Sequence, residues 1–128
     1  MPAAIAAKLT WPDRPVIALV GDGGFAMAAT EMRIASALGL PVAVVVFADG
    51  SLNRIELRQQ LMGYPPTATR LDRAGLVPLA EAMECDAALV DSAPGLEDAL
   101  ADFETRSAGS RPLIIEARID PSQYQAQF

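Results

Sequence analysis

The hydrophobic residues of this chain form two kinds of run, which alternate along the sequence. Short unbroken apolar runs at residues 16–20 and 42–47 are typical of strands buried on both faces of a sheet. Between them, residues 25–38 carry apolar side chains at helical spacing, which predicts an amphipathic helix packed on that sheet. The same patterns predict further helices at residues 2–9, 54–63, 76–85 and 95–107, and further strands at residues 87–92 and 112–119.

This alternation of strands and helices predicts an α/β fold. Buried strands that are joined through helices form a parallel sheet with right-handed crossovers, and the helices cover both of its faces. We therefore expect a doubly wound parallel sheet in a single three-layer domain that spans residues 1–128. Ligands of such sheets bind beyond the carboxyl ends of the strands, so the candidate site lies at the turns that follow the first two strands.

Both of these turns contain an aspartate: the sequence GDGG occupies residues 21–24 and ADG occupies residues 48–50. If the two strands are neighbours, their ends lie roughly 5 Å apart, and Asp22 and Asp49 repel each other unless a cation lies between them. Mg²⁺ accepts such oxygen ligands together with a backbone carbonyl and phosphate oxygens. The glycines of the first turn let the backbone approach a diphosphate, which the first amides of the following helix also help to hold.

Two other interpretations of these turns remain open. Glycine and aspartate are ordinary turn residues, so each turn alone can be structural. Residues 21–26 also satisfy the pattern G-x-G-x-x-A, and Asp49 ends the next strand, as in a fold that binds NAD. In an NAD site, however, Asp22 lies beside a pyrophosphate without a metal, and like charges at this range repel by about 4 kcal/mol at an effective dielectric of 20. The NAD interpretation is therefore the weaker one.

Composition excludes several classes of function. The formal net charge is −6, which disfavours nucleic-acid partners because they are bound by neutralising backbone phosphates. The chain contains no histidine, which excludes serine–histidine catalysis and zinc sites with histidine ligands. Its one cysteine, Cys85, lies in an apolar helical stretch, where we expect buried packing and no disulfide. No segment of 18 uncharged apolar residues predicts a membrane span, and we expect a cytoplasmic protein.

The stretch VIALVGDGGFAMAATEMRIASALGLPVAVVVFADGSLNRIELRQ, residues 16–59, resembles a known cofactor motif. It is similar to the thiamin-diphosphate-binding motif of the pyruvate decarboxylase, acetolactate synthase and benzoylformate decarboxylase superfamily. That motif begins with G-D-G and usually closes with Asn-Asn, where this chain has Ala48-Asp49. The resemblance covers nearly the whole chain and implies the C-terminal, diphosphate-binding domain of such an enzyme.

The resemblance also implies roles for particular residues. Asp22 matches the first metal ligand, Asp49 stands where the second asparagine ligates Mg²⁺, and the backbone carbonyl of Ser51 matches the third protein ligand. Asp49 keeps an oxygen ligand at its position, whereas Ala48 cannot make the hydrogen bonds of the first asparagine. The residues matched to the metal or the diphosphate are Gly21, Asp22, Gly23, Gly24, Asp49 and Ser51.

Two parts of the related enzymes are missing from this sequence. These are the pyrimidine-binding domain, whose glutamate promotes proton loss from the cofactor, and a glycine-rich stretch just upstream of residue 2. We therefore expect a fragment of a longer enzyme that decarboxylates or carboligates 2-oxo acids, with no catalytic residue of its own and no activity in isolation. The alternative is a non-catalytic fragment or cofactor-binding subunit that needs a separate pyrimidine-binding domain, and an NAD-binding module comes third.

Two surface regions carry further expectations. A domain built to pack on a partner keeps apolar surface exposed, and Met62, Tyr64 and the N-terminal helix are the candidates here. We expect such a chain to self-associate into a homo-oligomer. Arg54, Glu56 and Arg58 follow the second turn, where related decarboxylases place groups that contact substrate, but a solvated helix face is the preferred interpretation.

Overall fold

Four parallel strands form one sheet in the computed structural model, which describes residues 1–71 and 75–122. The order of the strands across the sheet is β1-β2-β4-β3, and each neighbouring pair is parallel. This arrangement confirms the predicted parallel α/β fold. The strands are β1 (Ile17–Gly21), β2 (Ala43–Ala48), β3 (Asp86–Val90) and β4 (Leu113–Arg118).

The helices lie close to their predicted positions, with one difference. The single helix expected at residues 25–38 is divided, because Ala28 leaves the helical conformation at φ −135° and ψ 15° and a 3₁₀ turn, Ala29–Glu31, follows it. Among the described helices, none is both long enough and apolar enough to cross a membrane. The helices are α1 (Pro2–Thr10), α2 (Asp22–Ala28), α3 (Met32–Ala37), α4 (Asn53–Leu61), α5 (Leu76–Ala82) and α6 (Ala93–Glu104).

A hydrophobic core lies on each face of the sheet. On one face, Phe25 and Met32 from the helices after β1 pack with Val44 and Ile114 of the central strands. On the other face, Phe103 of α6 is buried in the second core, among apolar residues of β2 and β4. Because consecutive residues of a strand point to opposite faces, the unbroken apolar runs of β2 and β4 supply both cores. Helices on both faces confirm the doubly wound, three-layer architecture.

The prediction that the first strand is buried on both faces is wrong. β1 is an edge strand, and its Ile17 and Leu19 are 41% and 67% exposed. Their register with Ala43 and Val45 places them on the face that carries α6, but α6 packs on β3 and β4 at the far side of the sheet. An apolar patch at the β1 edge therefore remains uncovered in the described part of the chain.

Cys85 has the structural role expected from its position. It lies between α5 and β3 and not in a helix as expected, but its side chain is buried, and its Sγ lies 3.8 Å from the carbonyl oxygen of Met32. Burial raises the pKa of the Cys85 thiol to about 11, so the thiol stays protonated at neutral pH. Since the thiolate is the reactive form of cysteine, this residue acts as a small apolar core side chain.

Candidate functional site

The two acidic turns meet at one edge of the sheet. β1 pairs directly with β2, and Gly21 at the end of β1 lies opposite Phe47. Asp22 follows β1 as the first residue of α2, and Asp49 follows the end of β2. The neighbouring strand ends assumed in the sequence analysis are thus present, and both aspartates lie at the carboxyl edge, where parallel sheets bind ligands.

Hydrogen bonds join the two turns. Oδ1 of Asp22 accepts a bond of 2.8 Å from the backbone N–H of Gly23, and Oδ2 accepts one of 2.9 Å from the backbone N–H of Gly50. In the second turn, Oδ1 of Asp49 accepts bonds from the backbone N–H of Ser51 at 2.7 Å and from its hydroxyl at 3.0 Å. Asp22 therefore reaches across to the turn that carries Asp49, and each carboxylate is oriented by backbone donors.

A cavity of about 430 Å³ opens between the two turns. This volume lies within the usual range for a small-molecule or cofactor site. The structure brings all six residues of the predicted site to this one cavity. The residues that line it are Gly21, Asp22, Gly23, Gly24, Phe47, Asp49, Ser51, Leu52, Asn53, Arg54, Ile55 and Leu57.

The glycines of the first turn differ in their surroundings. A Cβ atom on Gly23 would collide with the side chain of Leu52, so the two turns are in contact at this point. A Cβ on Gly24 would lie 3.0 Å from Cγ2 of Val20, whereas a Cβ on Gly21 would meet no described atom within 4 Å. A larger residue at position 23 would therefore displace the terminal methyl group of Leu52, while the space beside Gly21 is open.

Asn53 is a site residue that the sequence analysis missed. Its Oδ1 atom is buried and has no hydrogen-bond partner among the described residues. Asn53 begins α4 and lines the cavity. A buried acceptor without a donor destabilises the protein by about 1–3 kcal/mol, so this oxygen is suited to a ligand, a water or a cation in the cavity. The available sequence signal was an amide side chain two residues after Ser51.

The oxygen atoms at this cavity fit a hard divalent cation. Asp22 and Asp49 offer carboxylate oxygens, and the second turn offers backbone carbonyls, which are the donor types that Mg²⁺ prefers. Within the described ranges, no group of three or more histidine, cysteine, aspartate or glutamate residues could hold a metal. A cation here would depend on the two carboxylates together with carbonyl and ligand oxygens, and not on a complete cage of side chains.

The charged residues that follow the second turn differ in their exposure to solvent. Arg54 is exposed and lines the cavity, and Arg58 is exposed on the same helix. Glu56 is buried, at 7% exposure, and forms an ion pair of 2.8 Å with Arg70. The prediction of a solvated helix face therefore fails for Glu56, because the chain after α4 folds back over this carboxylate.

Fold and site together define an α/β domain with a glycine-lined, carboxylate-bearing cavity at the carboxyl edge of a parallel sheet, a place where such folds bind phosphate-containing cofactors. A family model described as "Thiamine pyrophosphate enzyme, C-terminal TPP binding domain" matches residues 1–117. The chain belongs to this family, and thiamin diphosphate is its cofactor.

Individual relatives agree with this assignment. The chain is 32% identical over 119 residues to a Bacillus subtilis (strain 168) protein described as thiamine pyrophosphate-containing, YdaP, covering 93% of this chain and 20% of that protein. It is 31% identical over 123 residues to an acetolactate synthase of the same organism, covering 95% of this chain and 21% of that enzyme.

A solved structure shares the fold. It is the thiamine diphosphate-dependent 4-hydroxybenzoylformate decarboxylase of Rhodococcus jostii RHA1, with a TM-score of 0.78 and 28% sequence identity. The match covers 94% of this chain and 22% of the decarboxylase chain. The chain thus spans about a fifth of the length of the relatives that it matches.

Proposed function

We propose that this chain binds the diphosphate of thiamin diphosphate through Mg²⁺, as the C-terminal domain of an enzyme that acts on 2-oxo acids. Asp22, Asp49 and the backbone carbonyl of Ser51 are the protein ligands of the cation in this proposal. The observation that carries it is the contact between the two turns: Asp22 accepts a hydrogen bond from Gly50, next to Asp49, within one cavity.

The first turn can accept a cation without being rebuilt. A carboxylate offers about four lone-pair positions, and the bonds from Gly23 and Gly50 occupy two of those on Asp22. The remaining positions suit a metal, while the two backbone bonds hold the carboxylate in place. Gly21 and Gly24 line the same cavity, where the diphosphate would lie along the glycine turn. The bound cofactor supplies the stabilisation of a carbanion, and this chain supplies its placement.

The parent reaction that we propose is decarboxylation or carboligation of a 2-oxo acid. The relatives named above include an acetolactate synthase and a 4-hydroxybenzoylformate decarboxylase, so the same domain accompanies both types of chemistry. We propose that the residues around the diphosphate do not decide which of the two reactions takes place. This is consistent with substrate selection by parts of the relatives that lie outside the fifth of their length represented here.

We also propose that catalysis requires a separate pyrimidine-binding domain, in the same polypeptide or in a partner subunit, and that the isolated chain is inactive. The open cavity and the uncovered apolar patch of Ile17 and Leu19 at the β1 edge are consistent with a missing partner. The alternative is a natural cofactor-binding subunit without catalytic function of its own. Finding the coding sequence of a pyrimidine-binding domain upstream in the same reading frame would favour the longer enzyme.

Thermal unfolding provides a direct test of the proposed cofactor site. Thiamin diphosphate is expected to raise the melting temperature only when Mg²⁺ is present, because the cation links the two acidic turns to the diphosphate. At a hundredfold excess over the dissociation constant, the expected stabilisation is about 2.7 kcal/mol. NAD with Mg²⁺ serves as the control and should cause no shift. A shift produced by NAD, or by thiamin diphosphate in EDTA, would contradict the proposal.

Self-association is a further prediction. Met62 and Tyr64, after α4, are exposed, as are Leu9 and Trp11 at the end of the N-terminal helix. Large apolar side chains at the surface favour contact with a second copy when no other partner is present. Sedimentation velocity at several protein concentrations should show a mass that rises with concentration. A single monomeric species over the whole range would argue against it.

A further inference from the structure

A short segment at residues 69–71 forms backbone hydrogen bonds with the second turn of the proposed site. The backbone N–H of Leu52 donates to the carbonyl of Thr69 at 2.7 Å, and the N–H of Leu71 donates to the carbonyl of Gly50 at 2.9 Å. Ser51 and Arg70 lie opposite each other in an antiparallel bridge. The turn that carries the proposed metal ligands is therefore one side of a small two-stranded ladder.

Glu56 fixes the other side of this ladder. Its carboxylate is buried, with Oε2 accepting a bond of 3.1 Å from the hydroxyl of Thr69 and Oε1 accepting one of 2.8 Å from Nη2 of Arg70. Thr69 itself is only 1% exposed. Burial of a carboxylate is costly unless the carboxylate is hydrogen-bonded. These bonds therefore hold residues 69 and 70 against α4.

Gly50 links this ladder to the first turn. Its carbonyl accepts from Leu71, while its N–H donates to Oδ2 of Asp22. Gly50 has a positive φ of 76°, a conformation that glycine adopts without strain. Residues 69–71 therefore contact the same glycine whose N–H donates to the Asp22 carboxylate.

We propose that Glu56 is a positioning residue for the cation and diphosphate site, acting through Thr69 and the ladder on Gly50 and Ser51. This inference rests on the proposed function, since it concerns the same site. The buried bond to Thr69 carries most of the effect. Arg70 is 77% exposed, and ion pairs to such exposed side chains contribute little. Glu56 contacts neither the cation nor the cofactor in this proposal.

Two substitutions at Thr69 separate positioning from folding. Thr69→Val keeps the shape of the side chain and removes the hydroxyl, whereas Thr69→Ser keeps the hydroxyl. Calorimetric titration with Mg²⁺ and thiamin diphosphate is expected to show about tenfold weaker binding for Thr69→Val, the lower end of the range for residues that orient metal ligands. Thr69→Ser should bind like the unmodified protein. So should the control Glu84→Gln, which removes the negative charge from an exposed ion pair with Arg33.

Amide hydrogen exchange supplies a readout that is independent of the cofactor. In Thr69→Val and in Glu56→Gln, the amides of Leu52 and Leu71 should exchange faster, while the amides of β2 keep their protection. Loss of protection in β2 as well would indicate general destabilisation and would overturn the positioning role.

The binding results also separate the two proposals. If the unmodified chain binds no thiamin diphosphate in the presence of Mg²⁺, the proposed function fails, and the inference fails with it. If the unmodified chain binds and Thr69→Val binds equally well, only the positioning role of Glu56 fails.

Discussion

Substitution of Asp22 by asparagine is expected to weaken Mg²⁺-dependent binding of thiamin diphosphate by more than about 100-fold. Even the outer partners of metal ligands contribute 10–100-fold to metal affinity, and Asp22 is proposed to contact the cation itself. An asparagine side chain also has a single acceptor oxygen, whereas the carboxylate accepts from Gly23 and Gly50 with separate oxygens. Calorimetric titration of the variant with Mg²⁺ and thiamin diphosphate measures the loss.

Position 49 provides the internal comparison for this experiment. Asp49→Ala should weaken binding to a similar extent as Asp22→Asn, because it removes an oxygen ligand. Asp49→Asn should stay within a few-fold of the unmodified protein, because it keeps a side-chain oxygen, as an amide, at this position. Asp91→Ala removes an exposed aspartate after β3 at the same edge of the sheet and is the matched control. Unchanged affinity in Asp22→Ala, which removes both side-chain oxygens, would exclude Asp22 as a metal ligand.

The meeting of the two acidic turns could be predicted because it depends on local patterns. Each apolar run ends in glycine and aspartate, and one helical segment separates the runs, so parallel neighbours bring both turns to one edge. The hydrogen bond from Gly50 to Asp22 could not be predicted. It depends on the conformation of two loops that are distant in sequence, and no residue pattern specifies their mutual orientation.

The exposure of β1 shows where apolar patterns stop being informative. Residues 16–20 and 42–47 have the same unbroken apolar character, yet β2 is central and β1 lies at the edge. An apolar run indicates that both faces of a strand are meant to be covered, but it does not identify what covers them. In this chain α6 packs mainly on β3 and β4 and leaves Leu19 of β1 exposed, so full burial of β1 would need another element to cover Leu19.

Glu56 was predicted to be solvated and is buried, the reverse of the error made for β1. A glutamate among arginines and glutamines on a short helix is usually solvated, and sequence spacing gave no indication of burial. Besides Gln60 on the same helix, its hydrogen-bond partners are Thr69 and Arg70, which lie 13 and 14 residues further along the chain in a segment without periodicity. Burial of this carboxylate is therefore a tertiary effect, which becomes visible only when the chain after α4 is seen to return to the second turn.

The contact between Gly23 and Leu52 leads to the second prediction. Gly23→Ala is expected to change the free energy of unfolding by about 1 kcal/mol or less, because the flexible Leu52 side chain can move away from the new Cβ and alanine is favoured over glycine by a similar amount in a helix. The displaced Leu52 side chain lines the cavity, so the variant should bind thiamin diphosphate and Mg²⁺ more weakly. Urea unfolding measures the first effect and calorimetric titration the second.

A second substitution identifies the cause. The double variant Gly23→Ala/Leu52→Ala lacks the side chain that clashes with Ala at position 23. Its loss in the free energy of unfolding should therefore be smaller than the sum of the losses in the two single variants. Gly21→Ala is the matched control within the same turn, since its Cβ meets no described atom within 4 Å and Gly21 has an extended conformation that any residue adopts. It should unfold like the original chain, because the new methyl group displaces no side chain. Additive effects at positions 23 and 52 would show that contact between the turns does not set the shape of the site.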